Sequence, residues 1–158
     1  MEKTKQKSQS ADFIGMGMND FFGSVELLHR SMDVASLRYQ VTANNIANSE
    51  TPKYKKQYVN FESELKRAFE SEENAKANPF KLTVTNPLHF GTPEGKNWLD
   101  VEPRRVTDWS TSVKANGNNV DAEEEAMNLV QIQEQYRLLT QLTSFQFSQL
   151  DVAMRSSK

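Results

Sequence analysis

The chain has no cysteine in its 158 residues. That excludes disulfide scaffolds, cysteine-ligated zinc sites and thiol nucleophiles. No stretch approaches the ~18 consecutive apolar residues of a membrane span, so none is expected. Neither sign of charge dominates: 19 basic residues stand against 21 acidic ones, giving a net charge of −2. With a pI near 5.8, the balance argues against a nucleic-acid partner. Apolar content is also low, roughly 38% with glycine counted and tyrosine not, against ~45–50% in globular domains. A chain this polar does not bury every element against itself. Either part of it is disordered when alone, or partners supply the missing buried surface. The first residues, MEKTKQK, are basic, but the 7–15-residue apolar core of a secretory signal does not follow.

What is present is helical rhythm at both ends. Residues 1–20 read as a flexible leader. Residues 21–52 hold the first helix, with Phe21, Val25, Leu28, Met32, Ala35, Tyr39, Thr42 and Ile46 at alternating steps of four and three, the spacing of a heptad seam. A second stripe lies beside it at Leu27, Val34 and Val41. Asn48-Ser49-Glu50-Thr51-Pro52 stops the helix, since Pro52 disfavours helix at the residue before it. Residues 53–118 form an irregular middle. A short helix is expected over 61–76, capped by Asn60. Brief strand-like runs at 82–85, 101–106 and 109–113, broken by Pro87, Pro93, Gly95 and Pro103, predict loops and one β-hairpin. Residues 119–158 hold the second long helix. Asp121 is its expected N-cap, with Glu124 in capping-box position and Glu123 to Glu125 facing the positive helix end. Ala122, Ala126, Leu129, Tyr136, Phe147, Leu150 and Met154 give its apolar rhythm. The fold class expected is mainly α: long N- and C-terminal helices packed as a coiled coil, forming one axial domain and joined by the irregular middle.

Catalytic constellations are scarce. Glu26 and His29 match the carboxylate–histidine element of di-metal bundles, but that site needs a second such element. The other histidine, His89, has no partner in range. A helix-surface Glu and His is the simpler reading. Gly15, Gly17 and Gly23 fit neither glycine fingerprint for phosphates, and no nucleophile elbow marks a serine triad. Residues 53–58, KYKKQY, interleave basic and aromatic side chains. A solvated strand or loop whose tyrosines pack on a neighbour accounts for them without nucleic acid. The run Ala43-Asn44-Asn45-Ile46-Ala47-Asn48 says more. Asparagine is a poor helix former. Asn48 suits a C-cap, but Asn44 and Asn45 lie inside the apolar rhythm. An amide at a packed seam costs stability and fixes register.

The stretch RYQVTANNIANSETPKY, from Arg38 to Tyr54, resembles the N-terminal signature of the bacterial flagellar axial proteins, the rod, hook and related subunits. These share an ANNIAN motif followed by a threonine and an aromatic residue. NGNNVDAEEEAMNL and QYRLLTQLTSFQFSQL resemble the C-terminal helix of the family's proximal rod members. KLTVTNPLHF fits the family's middle more loosely. The likeness covers about residues 22–68 and 116–155. The family commonly has glycine where this chain has Lys53. Lysine is reluctant at positive φ, so a different turn is expected there. Ala122 and Ala126 are smaller than the family pattern leads one to expect, and the leader is longer.

The resemblance implies a structural, non-enzymatic subunit with no cofactor or metal. Such subunits are exported unfolded by the flagellar type III apparatus, without a cleaved signal peptide. They assemble helically into the basal-body rod, the drive shaft that carries motor torque across the periplasm. The partners implied are other copies of itself, the rod proteins FlgC, FlgF and FlgG, the MS-ring adaptor FliE and the export apparatus. Interface residues are expected at Asn44, Asn45, Ile46, Asn48, Thr51, Pro52 and Tyr54. Others are expected at Asn119, Val120 and Asp121, and along the last helix at Leu129, Tyr136 and Leu150. The asparagines are expected to hydrogen-bond neighbouring subunits. On that view Asn45→Ala lowers incorporation more than monomer helicity. Two other classes compete: a soluble helical adaptor or type III export chaperone, and a metal enzyme built on Glu26 and His29. Rapid proteolytic loss of both ends favours the rod subunit over a chaperone, and substoichiometric metal sinks the enzyme.

Overall fold

The computed structural model describes residues 2–77, 95–110 and 117–156, with side chains described from residue 21 to residue 155. Three helices and a two-stranded ribbon make up the described fold: α1 (Glu2–Ala47), β1 (Gln57–Asn60), α2 (Glu62–Ala77), β2 (Arg104–Thr107) and α3 (Ala122–Ser156). The mainly helical architecture expected from the two heptad patterns is present. The helix of α1 reaches back to Glu2, through most of the stretch set apart above as a leader. The division of the chain at residue 20 stays an expectation. The strand-like run at 82–85 lies outside the described residues, as does most of 109–113.

α1 and α3 run antiparallel and side by side. Asn45 meets Glu125 at one end of the pair, and the rings of Phe21 and Phe147 meet edge-on at 6.3 Å at the other. The second stripe of α1 is the one most deeply packed. Val34 and Val41 join Val59 and Phe61 in the core, with Leu37, Leu65 and Val101 against them. On α3 Glu125 and Ile132 are buried, and Asn128, Leu129, Leu139, Thr143, Gln146 and Leu150 are half-buried along the same side. Tyr136, Phe147 and Met154, placed on the apolar rhythm from sequence, are each two-fifths or more exposed. One α-helical stripe has a single neighbour here, so only one face of α3 is covered.

The ribbon pairs Gln57 with Thr107 and Asn60 with Arg104 in antiparallel register. One of its strands therefore comes from before α2, not from 80–115 as the run of β-formers suggested. β1 reads QYVN, and only Val59 is buried, so its own periodicity is too short to mark it. Asn60 accepts the Ser63 hydroxyl at 2.6 Å just before α2.

Two arginines of α1 fix the middle segment. The Arg30 guanidinium donates to the carbonyls of Trp98, Leu99 and Val101 in and after a 3-10 turn at Trp98–Asp100. It also sits over the Trp98 ring at 5.9 Å, a cation–π contact. Arg38 reaches the Val59 carbonyl and the Glu62 carboxylate. Trp98 packs in turn on Phe69 of α2. A Cβ on Gly95 would meet Ala75 Cβ at 3.1 Å, so the chain crosses α2 at a distance that favours glycine.

Candidate functional site: an asparagine–glutamate clasp

The described residues concentrate their buried polar groups where α1 ends and α3 begins. Asn45 and Asn118 are fully buried, Glu125 is 2% exposed and Asn119 4%. Buried polar groups stand only if hydrogen-bonded, and these are.

Asn45 uses both ends of its amide. Its Nδ2 donates to the Gln57 carbonyl at 2.7 Å and to Glu125 Oε2 at 2.9 Å. Its Oδ1 accepts from the Gln57 amide at 3.1 Å and the Tyr54 hydroxyl at 3.2 Å. Two donors and two acceptor sites are the full capacity of an asparagine side chain. The sequence reading aimed this residue at neighbouring subunits; its amide is spent within its own chain. It ties α1, β1 and α3 together.

Asn118 does the same for the turn that closes α1. Its Nδ2 lies 3.0–3.1 Å from the carbonyls of Asn48, Ser49 and Thr51. These carbonyls belong to the turn that follows the helix, where the Asn48 and Thr51 carbonyls also accept from the Thr51 and Tyr54 amides. Its Oδ1 accepts from the Val120 amide at 2.6 Å, folding the approach to α3. Asn119 bridges the ribbon: its Oδ1 accepts from the Lys56 amide at 2.6 Å and its Nδ2 donates to the Asp108 carbonyl at 3.0 Å. Val120 is fully buried. Asp121 caps α3 as expected, accepting from the Glu123 and Glu124 amides. Glu124, expected to close a capping box, pairs instead with Lys56 Nζ at 3.2 Å.

Lys56 Nζ also lies 2.7 Å from Glu125 Oε1. The buried carboxylate thus has Lys56 on one oxygen and Asn45 on the other. Burial works against the Lys56 charge, yet the bonds to Glu125 and Glu124 carry its pKa above the ordinary 10.5. Burial, with Glu125 nearby, pushes the Tyr54 phenol above 10.0. Both groups hold their low-pH forms longer in the folded chain than in the unfolded one. Their stabilisation is complete below the unfolded pKa values and is lost as pH rises through the folded ones. Thermal unfolding scans should therefore show the clasp weakening above about pH 10, and Lys56→Met should remove the lysine's share of that dependence.

The remaining expected residues fall into two sets. Asn44, Thr51 and Pro52 are exposed beside the clasp, and Ile46 and Asn48 half-buried. Asn48 donates to the Asn44 carbonyl at 2.8 Å and accepts from the Thr51 hydroxyl at 3.2 Å. Leu129, Tyr136 and Leu150 lie along α3, Leu129 one turn beyond Glu125, with Leu129 and Leu150 half-buried and Tyr136 exposed. Four clasp members were not singled out as site residues: Lys56, Gln57, Asn118 and Glu125. Glu125 had a usable signal, its place seven residues before Ile132 on the inward stripe of α3. Of the basic-aromatic run, Lys56 is drawn into the clasp and Tyr58 stands exposed. Glu26, the carboxylate of the supposed metal element, pairs with Arg30 at 3.4 Å.

Lys53 corrects the turn expected of it. Its φ is +61°, and the Tyr54 amide donates to the Thr51 carbonyl at 3.3 Å. Proline followed by a positive-φ residue is the pattern of a type II turn. The lysine occupies the left-handed conformation that a glycine adopts freely. Lys53→Gly should stabilise the chain by up to about 1 kcal/mol, the relief of a ~1–2 kcal/mol strain less glycine's greater freedom when unfolded. Urea midpoints of the two proteins check this.

Paired terminal helices, pinned at one end by an asparagine-rich clasp that carries an ANNIAN sequence, define a subunit of the flagellar axial class. No family model matches the chain. It is 38% identical over 138 residues to the flagellar basal body rod protein FlgB of Borreliella burgdorferi, a match spanning 87% of this chain and all of that one. It is 39% identical, with the same coverage, to that of Borrelia hermsii. With FlgB of Bacillus subtilis it shares 28% over 141 residues, again the whole of the relative. The chain belongs to the FlgB family of flagellar basal-body rod proteins.

Proposed function

We propose that the chain is a structural subunit of the proximal rod, built into the drive shaft by packing its paired terminal helices on neighbouring subunits. The full-length match to rod proteins carries this reading. The surface of α3 supports it, because a helix covered on one face keeps Met127, Val130, Leu138 and Phe145 more than half exposed on another. Contacts between subunits remove such surface from water at roughly 25 cal/mol per Å². The clasp makes the subunit stiff where α1 and α3 join, which suits a part that transmits torque and performs no catalysis. Other copies, FlgC, FlgF, FlgG and FliE are its partners on this reading, reached through the type III apparatus into the periplasm. No helix among the described residues is long and apolar enough to cross a membrane.

Removing the gene should leave cells non-motile, with ring bases in the envelope but no rod, hook or filament by electron cryotomography. Complete hook–basal bodies in cells that have no second copy of the gene would overturn the reading. An export chaperone in its place would fold stably by itself and stay out of purified basal bodies.

A further inference from the structure

The ribbon makes the middle of the chain a closed excursion. β1 ends at Asn60, β2 begins at Arg104, and these two residues pair. The chain therefore leaves the ribbon and returns to it at one place. α2 and the 3-10 turn at Trp98–Asp100 lie on the way. The clasp lies outside this span: Asn45, Lys56 and Gln57 precede it, and Asn118 and Glu125 follow it.

α2 and the turn hold each other. The Lys96 amide donates to Ser71 Oγ at 3.1 Å and the Trp98 amide to Glu72 Oε1 at 3.2 Å. The rings of Phe69 and Trp98 lie 5.9 Å apart. Their hold on the rest is thinner. Among the described residues of the excursion only Phe61 and Ala68 are buried, and Phe61 stands where the chain leaves the ribbon. Leu65 and Val101, packed against the core, are near the same two ends. Beyond those ends, α1 grips the turn with Arg30. Its guanidinium donates to the Trp98 carbonyl at 3.3 Å, the Val101 carbonyl at 3.0 Å and the Leu99 carbonyl, and lies over the Trp98 ring. Arg38, about 12 Å further along α1, holds the point of departure through the Val59 carbonyl and the Glu62 carboxylate. Few buried apolar side chains, and polar bonds that trade against water, mark a part of low local stability.

We propose that α2 and the 3-10 turn form a flap that opens as a unit about the end of the ribbon, with Arg30 as its latch and Arg38 as the pin of its hinge. Arginine suits the latch, because one planar guanidinium serves several carbonyls and stacks on an indole. Closed, the flap covers Val34 and the side of α1 around Arg30. Open, it gives the chain a second outline while the clasp still ties α1 to α3.

Native-state hydrogen exchange separates a flap from a single cooperative fold. An opening equilibrium feels a substitution only where the opening breaks the contacts of that side chain. A helix of 16 residues is marginal in water by itself, so α2 loses its protection when it leaves. Amides of α2 are followed beside those of α1 from Val34 to Thr42, under conditions where exchange reports the opening equilibrium. In the wild type those of α2 are expected to be protected at least tenfold less. Arg30→Met should speed them at least a further tenfold. Asn45→Ala should speed the α1 amides and leave those of α2 at their wild-type rate, because the clasp stays closed when the flap opens. Lys56→Met, a milder change in the clasp, gives the same comparison should Asn45→Ala unfold. If the clasp variant speeds α2 as much as α1, flap and clasp open together and the proposal is overturned. If Arg30→Met leaves α2 unchanged, α2 is held by its own packing and the latch is overturned.

Discussion

Replacing Asn45 with alanine should cost the folded chain about 3–5 kcal/mol. The substitution removes four hydrogen bonds at once. It strands the Gln57 backbone amide and carbonyl and one oxygen of a carboxylate that is 2% exposed. Each buried group left without a partner costs roughly 1–3 kcal/mol, more when it is charged. Total stabilities of ~5–15 kcal/mol make this a large share. Helical content should hardly change, because alanine is the better helix former at that position. A urea midpoint that falls sharply while far-ultraviolet circular dichroism at zero urea stays near wild type is the expected pair of results. A midpoint within measurement error of wild type overturns the clasp's importance. Incorporation into basal bodies should fall with the midpoint, because the turn and ribbon that Asn45 holds also place Asn44 at the surface.

That prediction also shows where sequence reading reached and where it stopped. The helices announced themselves through heptads, and Asp121 through its place before three glutamates. Asn45 stood out because an amide in an apolar stripe must find partners. Those partners were not visible. Gln57 is twelve residues away and Glu125 eighty, and local pattern says nothing about contacts across such separations. Glu125 looked like a helix-dipole residue, one of three acids in the first turn, although the phase of Ile132 and Leu139 set it apart. Lys53 was misread for a different reason. Its side chain argues against positive φ, but the hydrogen bonds of Asn118 to the three carbonyls around the helix end fix the backbone whichever residue stands at 53. The partition of α3 into a packed face and an open one was legible only in part, because both carry apolar residues.

The second large effect is expected at Glu125. Glu125→Ala should destabilise by about 1.5–3 kcal/mol, the size of a lost hydrogen bond to a charged group, since the Lys56 ammonium left behind is only partly buried. Lys56 keeps Glu124 at 3.2 Å, and that pair is too exposed to offset the loss. Asn45 loses its Glu125 bond and Asn128 a longer one of 3.4 Å. The double variant Asn45→Ala with Glu125→Ala should cost clearly less than the two single changes added together, since both remove the same bond. A coupling of 0.5–3 kcal/mol is the usual size for residues in one network. Strict additivity would show that the two side chains act independently, and the clasp would not be a unit. The bond joins residues far apart in the chain, so its formation carries the entropic cost of closing a long loop. Once closed, it fixes the end of the first long helix to the start of the last. The relative placement of the two helices, on which any repeating contact with a neighbour depends, is set there.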